Sequence, residues 1–451
     1  MKTSIKIASG QGFWGDLQIA PINQVRRGKI DYLVMDYLAE VTMSILQKQK
    51  LRYPEMGYAR DFPETLREIL PDIKEKGIKI ISNAGGVNPE ACRDKVLEIA
   101  NELGIRNLKI GLILGDNILD QIDDFIAAGT TLNHMETGEP LSMVRDKILS
   151  ANVYLGAFPM VEALQQGADI VIAGRATDTG LTLAPMIYEF GWKPTDYDKL
   201  AAGTVAGHIM ECGAQASGGN FLGDWRAVPN MHDIGFPIVE AYPDGTFEVT
   251  KHENMGGLVN SATVKEQLLY EIGDPTAYIT PDCIADFTTI QLDNIAPNRV
   301  KVTGIKGYPE TPYYKVSAAY AAGFSTAATL VYSWPDALEK AQYAFDILKK
   351  RCDALGLRFD EIHADYIGAN ACHLDVADPQ DQYNEVMLRV AVKSQYKEDI
   401  ARFGREIAPL ILTGPPAVTG FAGGRPRPSE VVAYWPALIE KTLINPKVDV
   451  R

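Results

Sequence analysis

The densest chemistry in this 451-residue sequence lies in Gly207-His208-Ile209-Met210-Glu211-Cys212-Gly213. In a helix, His208 and Glu211 share a face at i, i+3, a spacing at which a carboxylate orients an imidazole and stabilises its charged form for general acid/base work. The competing reading is a core histidine satisfied by a local partner. Cys212 reads as a small hydrophobe rather than a nucleophile, because a cysteine with no activating partner usually behaves as one.

Two further groups carry charge to where chemistry could occur. Asp36 and Glu40, at i and i+4, could hold a divalent metal such as Mg²⁺ or divide into an acid and a base; alternatively they are a helix-start carboxylate and a solvent-facing glutamate. Arg175, in Gly174-Arg175-Ala176-Thr177-Asp178, is placed after an apolar run to fork onto a carboxylate or phosphate, or else to pair with Asp178. Near the end, Gly414-Pro415-Pro416 through Gly423-Gly424-Arg425-Pro426-Arg427-Pro428 is a long loop whose Arg425 suits an anionic ligand or a rigid surface connection.

At the start, Lys6–Ala8 runs into Gly10-Gln11-Gly12-Phe13-Trp14-Gly15, a GxGxxG spacing, and Asp36 follows about 20 residues beyond the last glycine, as in a dinucleotide fold. Phe13 and Trp14 are bulky where a backbone must hug a pyrophosphate, and Asp16 puts a negative charge where that anion would sit. The turn is therefore expected to line another ligand, with NAD the less favoured cofactor.

These residues need a scaffold that gathers them. Apolar, β-branched runs at Ser4–Ala8, Tyr32–Asp36, Ile78–Ser82, Leu108–Leu114, Val153–Leu155 and Ile170–Ala173 alternate with helical patterns. Among the latter are Leu38–Gln49, with Leu38, Thr42, Ile45 and Gln49 on one stripe, and Glu90–Leu103, opened by Asn88-Pro89. The alternation predicts an α/β fold with an open, mainly parallel, doubly wound sheet, favoured over an eight-stranded barrel. Ser9–Gly12, Asp36, Asn83-Ala84-Gly85-Gly86, Gly115-Asp116 and Gly174-Arg175 would then meet at its carboxyl edge, where ligands bind.

Residues 1–290 are expected to form this domain, 180–290 being an elaboration with a hairpin around Pro243-Asp244-Gly245. Residues 291–451 are expected to add an α+β, ferredoxin-like domain: strands at Arg299–Gly304, Ala327–Ser333, Glu361–Ile367 and Glu385–Val392, helices at Asp336–Leu355 and Tyr396–Pro409.

Composition narrows the classes. The chain carries 44 Lys and Arg against 58 Asp and Glu, a net charge of −14 that disfavours nucleic acid and anionic membrane surfaces. Five cysteines, none in a CxxC arrangement, read as reduced thiols; with no apolar leader or spanning run, a cytoplasmic protein is expected. GxxxxGK[ST], HExxH and GxSxG are absent, which argues against kinase, zinc peptidase and α/β-hydrolase readings.

Several long stretches, among them SGQGFWGD, NAGGVNPEAC, GAFPMVEALQQGADIVIAGRATDTGLTLAPMIYEFGW, AGHIMECGAQASGGNF, GGLVNSATVKEQLLYEIGDPTAYITPD and GGRPRPSEVVAYWP, resemble the acyclic terpene utilisation (AtuA) family over nearly the whole sequence. The resemblance implies a part in the catabolism of branched or multicarboxylic acids or their coenzyme A thioesters. It also implies a separate small, ferredoxin-like AtuA-type partner subunit. Family motif positions here include Gly12, Phe13, Gly15, Asp16, Glu40, Asn83, Gly85, Arg175, Asp178, His208, Glu211, Cys212 and Lys251.

The combined expectation is a hydratase/dehydratase-type lyase, acting on a small hydroxy or unsaturated carboxylic acid or its thioester and assembled as a homo-oligomer. His208 and Glu211, with Asp36 and Glu40, would carry the chemistry. Arg175 would anchor a carboxylate; Gly10–Asp16 and Asn83–Gly86 would floor the pocket, with Asp178, Cys212, Lys251 and Arg425 at its walls. The rivals are an NAD-dependent oxidoreductase and a non-catalytic large subunit.

Overall fold

The computed structural model describes residues 2–376, 378, 380, 382–420 and 424–451, the side chain of Glu40 apart. It is a mixed α/β structure. The chain runs β1 (Ile5–Gln11), α1 (Ile19–Arg26), β2 (Tyr32–Met35), α2 (Glu40–Arg52), α3 (Asp61–Lys76), β3 (Lys79–Ser82), α4 (Pro89–Glu102), β4 (Ile110–Leu114) and α5 (Ile122–Ala127). It continues through β5 (Ile148–Val153), α6 (Phe158–Gln165), β6 (Ile170–Ala173), α7 (Gly180–Phe190), α8 (Tyr197–Glu211), β7 (Ile238–Ala241), β8 (Phe247–Thr250) and α9 (Ser261–Leu269). Short strands β9 (Tyr278–Ile279), β10 (Ile284–Asp286), β11 (Gln291–Ala296), β12 (Arg299–Thr303) and β13 (Lys306–Tyr308) precede the long β14 (Tyr313–Ser333).

Two compact units result, one of residues 1–319 with 434–451 and one of residues 320–433. The first is built on a ten-stranded sheet that includes β19 (Lys447–Val450), in the order β11-β12-β8-β7-β1-β2-β3-β6-β4-β19. Its centre, β1-β2-β3-β6-β4, is parallel. Those strands are nearly all apolar and buried, as strands covered on both faces must be. Helices α1, α3 and α4 pack together against the sheet, and α6, α7 and α8 form a second packed group. The core between the first group and the strands includes Leu33, Met35, Phe62, Leu66, Ile69, Val96 and Ile110.

Five of the six expected parallel strands form the sheet centre; the run Val153–Leu155 does not. It falls at the end of β5, which pairs with β14. The stripe expected on α2 is also displaced: Ile45 is exposed, while Met43 and Leu46 enter the core. The first unit extends beyond residue 290 because β12 pairs antiparallel with β8, β11 pairs with β12, and β19 returns to β4. The hairpin expected around Gly245 is β7-β8, with Gly245 at φ +92°.

The second unit holds α10 (Ala337–Ala354), β15 (Glu361–Ile367), β16 (Glu385–Ser394), α11 (Lys397–Glu406), α12 (Leu410–Thr413) and β17 (Val418–Thr419), with β14 entering it and β18 (Ser429–Glu440) leaving it. Its strands run in the order β15-β16-β14-β17, each pair antiparallel. Ala341, Ala344 and Leu348 of α10 and Ile400 and Phe403 of α11 form its core with Leu330, Leu388 and Val390. Among the described residues no helix is long and apolar enough to cross a membrane.

Candidate active site

The parallel strands release the chain at one edge, and the segments beyond them meet there. After β1, the Asp16 carboxylate folds back over the turn, accepting from the Gly12 amide (2.9 Å) and the Leu17 amide (2.7 Å). Gly12 lies against the end of α8: a methyl group there would sit 2.9 Å from the Gly213 nitrogen and 3.0 Å from the Glu211 carbonyl oxygen. In a dinucleotide site the second glycine leaves room for a pyrophosphate. Here that room holds protein backbone, and the amide already has an anion.

Asp36, beyond β2, is buried and accepts from Asn83 Nδ2 (2.6 Å) and the Leu38 amide (3.1 Å). Asn83, beyond β3, accepts in turn from the Tyr37 amide at 2.8 Å. Burial pushes the Asp36 carboxyl up to about 6, with Asn83 and the Arg175 charge pulling the other way. Gly85 fits closely because a methyl there would lie 2.7 Å from the Ala173 carbonyl oxygen of β6, and Gly86 adopts φ +53°.

Beyond β6, Arg175 is only 1% exposed. Its guanidinium donates to the Leu38 carbonyl, lies 3.2 Å from Asp178 Oδ1 and stacks on Tyr154, with 4.2 Å from Cζ to the ring centre. Its amide is held by Asp116 beyond β4, at 2.8 Å. Of the two readings of Arg175, its pairing with Asp178 is present in the structure.

The His208 and Glu211 side chains meet near the end of α8, with His208 Nδ1 2.8 Å from Glu211 Oε1. His208 is 1% exposed and its ring packs against Tyr278 and Phe287, centroids 5.4 Å away in both cases. Burial, the largest single influence, depresses the imidazole, but the charge and hydrogen-bonding pull of Glu211, with smaller help from Gln267 and Glu271, together outweigh it and the net shift is upward. Glu211 is itself raised, by burial first, against the opposing pull of His208. Neither ring nitrogen of His208 makes a hydrogen bond of good geometry among the described residues, so the Nδ1 contact with Glu211 is an ion-pair distance. Cys212 is pushed up to about 12, first by burial and then by Glu211, and is a thiol at neutral pH.

A cavity of about 440 Å³ adjoins this cluster within the first unit, with Tyr154, Asp178, Glu271, Tyr278 and Lys315 in its wall. Sequence reasoning missed Tyr154, Tyr278, Glu271 and Lys315. Glu271 and Tyr278 do fall inside the quoted family stretches, the one signal that pointed to them, whereas Tyr154 lies two residues before the nearest one. Lys315 sits in the long strand β14, with no local pattern to mark it.

One expected site residue, Lys251, is engaged elsewhere in the first unit. Lys251 is buried and donates to the Met255 carbonyl (2.6 Å) and the His252 carbonyl (3.4 Å), which fixes a turn after β8. Arg425 belongs to the second unit, on the loop before β18, and Phe421–Gly423 of that loop lie outside the described residues. Glu40 opens α2, but its side chain is outside the described part. Phe13 is 58% exposed beside the turn. Among the described residues no group of three or more His, Cys, Asp or Glu side chains is arranged to hold a metal ion.

No curated protein and no solved structure matches the chain. The family model described as acyclic terpene utilisation family protein AtuA matches residues 5–450, so the chain belongs to the acyclic terpene utilisation family.

Proposed function

We propose that the protein is a hydratase/dehydratase-type lyase acting on a small hydroxy or unsaturated carboxylic acid or its thioester. Its family associates it with acyclic terpene catabolism. The observation that carries the reading is the buried His208–Glu211 pair, 2.8 Å apart, in ring contact with a tyrosine of the cavity wall.

In the dehydrating direction a proton leaves the carbon next to the carboxyl group and its electron pair becomes the double bond. The hydroxyl then departs from the neighbouring carbon with a proton, as water. His208 takes the first proton, and the same pair returns one to the leaving hydroxyl, so the enzyme ends as it began. Tyr278 touches the imidazole and lines the cavity, and its hydroxyl, once turned onto the unpartnered His208 Nε2, would relay the proton between them.

The five parallel strands with helices in two groups support a doubly wound description of the first unit, and the order β15-β16-β14-β17 supports a ferredoxin-like description of the second. The exposed apolar face of α2, with Val41, Ile45 and Leu51, supports a homo-oligomer. The family resemblance supports a separate small partner chain, and the unpaired thiols support a cytoplasmic setting.

One observation favours a rival, the non-catalytic large subunit: His208 is packed between aromatic rings as a structural histidine would be. Double-bond formation or loss, followed by absorbance on a panel of hydroxy and unsaturated acids and their thioesters, separates the two. His208→Ala should lower turnover by about 10²-fold or more. Turnover near wild type removes the pair from the mechanism.

A further inference from the structure

Arg175 and Asp178 already satisfy much of each other's charge, which leaves the question of what meets a ligand in the cavity. Lys315 is exposed in the wall, its Nζ 5.0 Å from the centre of the Tyr154 ring and 5.8 Å from that of Tyr434. Among the described residues Lys315 makes no ion pair within 4.0 Å of a carboxylate. A cation held over aromatic faces, beside a cavity and without a counter-ion, is a receptor for an anion.

The rest of the wall limits that anion. Met135, Ile279 and Leu438 are 52%, 61% and 44% exposed, and all three line the same cavity. Large apolar side chains left open together mark a surface that an apolar ligand covers. Asp178 and Glu271 line it too, so a second negative charge on the ligand would face carboxylates.

We infer that Lys315 binds the carboxylate of a free, amphipathic monocarboxylic acid whose hydrocarbon part lies along Met135, Ile279 and Leu438. The inference rests on the proposed function for its choice of site and narrows it: the ligand is the free acid, neither its thioester nor a dicarboxylate. A thioester carbonyl is neutral and leaves Lys315 without a counter-ion. An acid offers a charge-assisted hydrogen bond in its place.

Calorimetric titration of the full chain with octanoate, octanamide, octanedioate and octanoyl-coenzyme A tests this. Octanoate should bind at least about tenfold more tightly than octanamide and more tightly than octanedioate or the thioester. Lys315→Met should abolish the preference for acid over amide, and Lys315→Arg should keep it. Equal affinity for acid and amide, a preference that survives in Lys315→Met, tighter binding of the thioester, or no binding of any probe overturns the inference. Loss of the preference in Lys315→Met without lyase activity on any acid sinks the proposed function and leaves this site standing; turnover indifferent to Lys315 does the reverse.

Discussion

Gly12 and Gly213 touch across the carboxyl edge of the sheet, the turn after β1 against the backbone that ends α8, so closely that a methyl on Gly12 would sit 2.9 Å from the Gly213 nitrogen. A glycine-rich turn that resembles a phosphate cradle thereby serves as the seat of the helix end that carries His208 and Glu211. The contact is backbone to backbone, which cannot yield as a side-chain tip can.

Gly12→Ala should therefore displace the α8 end. Stability should fall by about 1 to 3 kcal/mol, with a larger loss of turnover than an ordinary surface substitution gives. Thermal melting and activity measured together check it. Wild-type melting would mean that the two segments separate freely. NADH should not stabilise the wild-type chain.

Asp36, Asp116 and Asp282 are buried carboxyls, each pushed by burial from 3.8 up to about 6. Between those values the folded chain keeps protons that the unfolded chain has released, so their contribution to stability declines as pH rises through that window. Asp36→Asn removes one such group while its oxygen can still accept from Asn83. The variant should gain on the order of 2 kcal/mol relative to wild type at pH 7.5 and nothing at pH 4. Unfolding measured at both pH values decides; an effect of the same size at both would mean that Asp36 titrates normally.

Much of the sheet could be read in advance because the central strands are mostly apolar, β-branched runs, a pattern that needs cover on both faces. Helix α4 was readable from Asn88-Pro89, although Asn88 turns its amide to the Pro54 and Met56 carbonyls instead of capping. The insertion of β6 between β3 and β4, the joining of β12 to β8 and the pairing of β5 with β14 were not readable. Those contacts link segments far apart in sequence, and hydrophobic period carries no partner information. The same holds at the site. His208–Glu211 is a local helical spacing and was visible, whereas Lys315 meets Tyr154 only because β14 pairs with β5.

Glu211→Gln removes the charge that holds the His208 imidazole above 6.5 and leaves the burial that depresses it. The limb of the pH–rate profile set by that imidazole should move to lower pH, with reduced turnover. The raised pKa of His208 also contributes stability that is present below pH 6.5 and lost as pH rises through its folded value, so the variant should lose stability at pH 5.5 more than at pH 8. An unmoved profile would show that the pair does not set the rate.

Tyr278→Phe keeps the ring against His208 and deletes the hydroxyl. If that hydroxyl relays the proton, turnover should fall by about tenfold or more with little change in melting temperature. Full activity would require His208 to reach the ligand directly.

Lys251 was expected in the pocket wall, yet the structure ties its ammonium to the Met255 and His252 carbonyls. Charge-assisted hydrogen bonds to buried carbonyls hold a turn, and nothing in that arrangement reaches the cavity. Lys251→Met should cost about 1.5 to 3 kcal/mol of stability and leave turnover per folded molecule unchanged. Denaturant unfolding with activity normalised to folded protein tests this. A variant as stable as wild type but inactive would move Lys251 into the active site, and with it the boundary of the functional region drawn around Arg175 and His208.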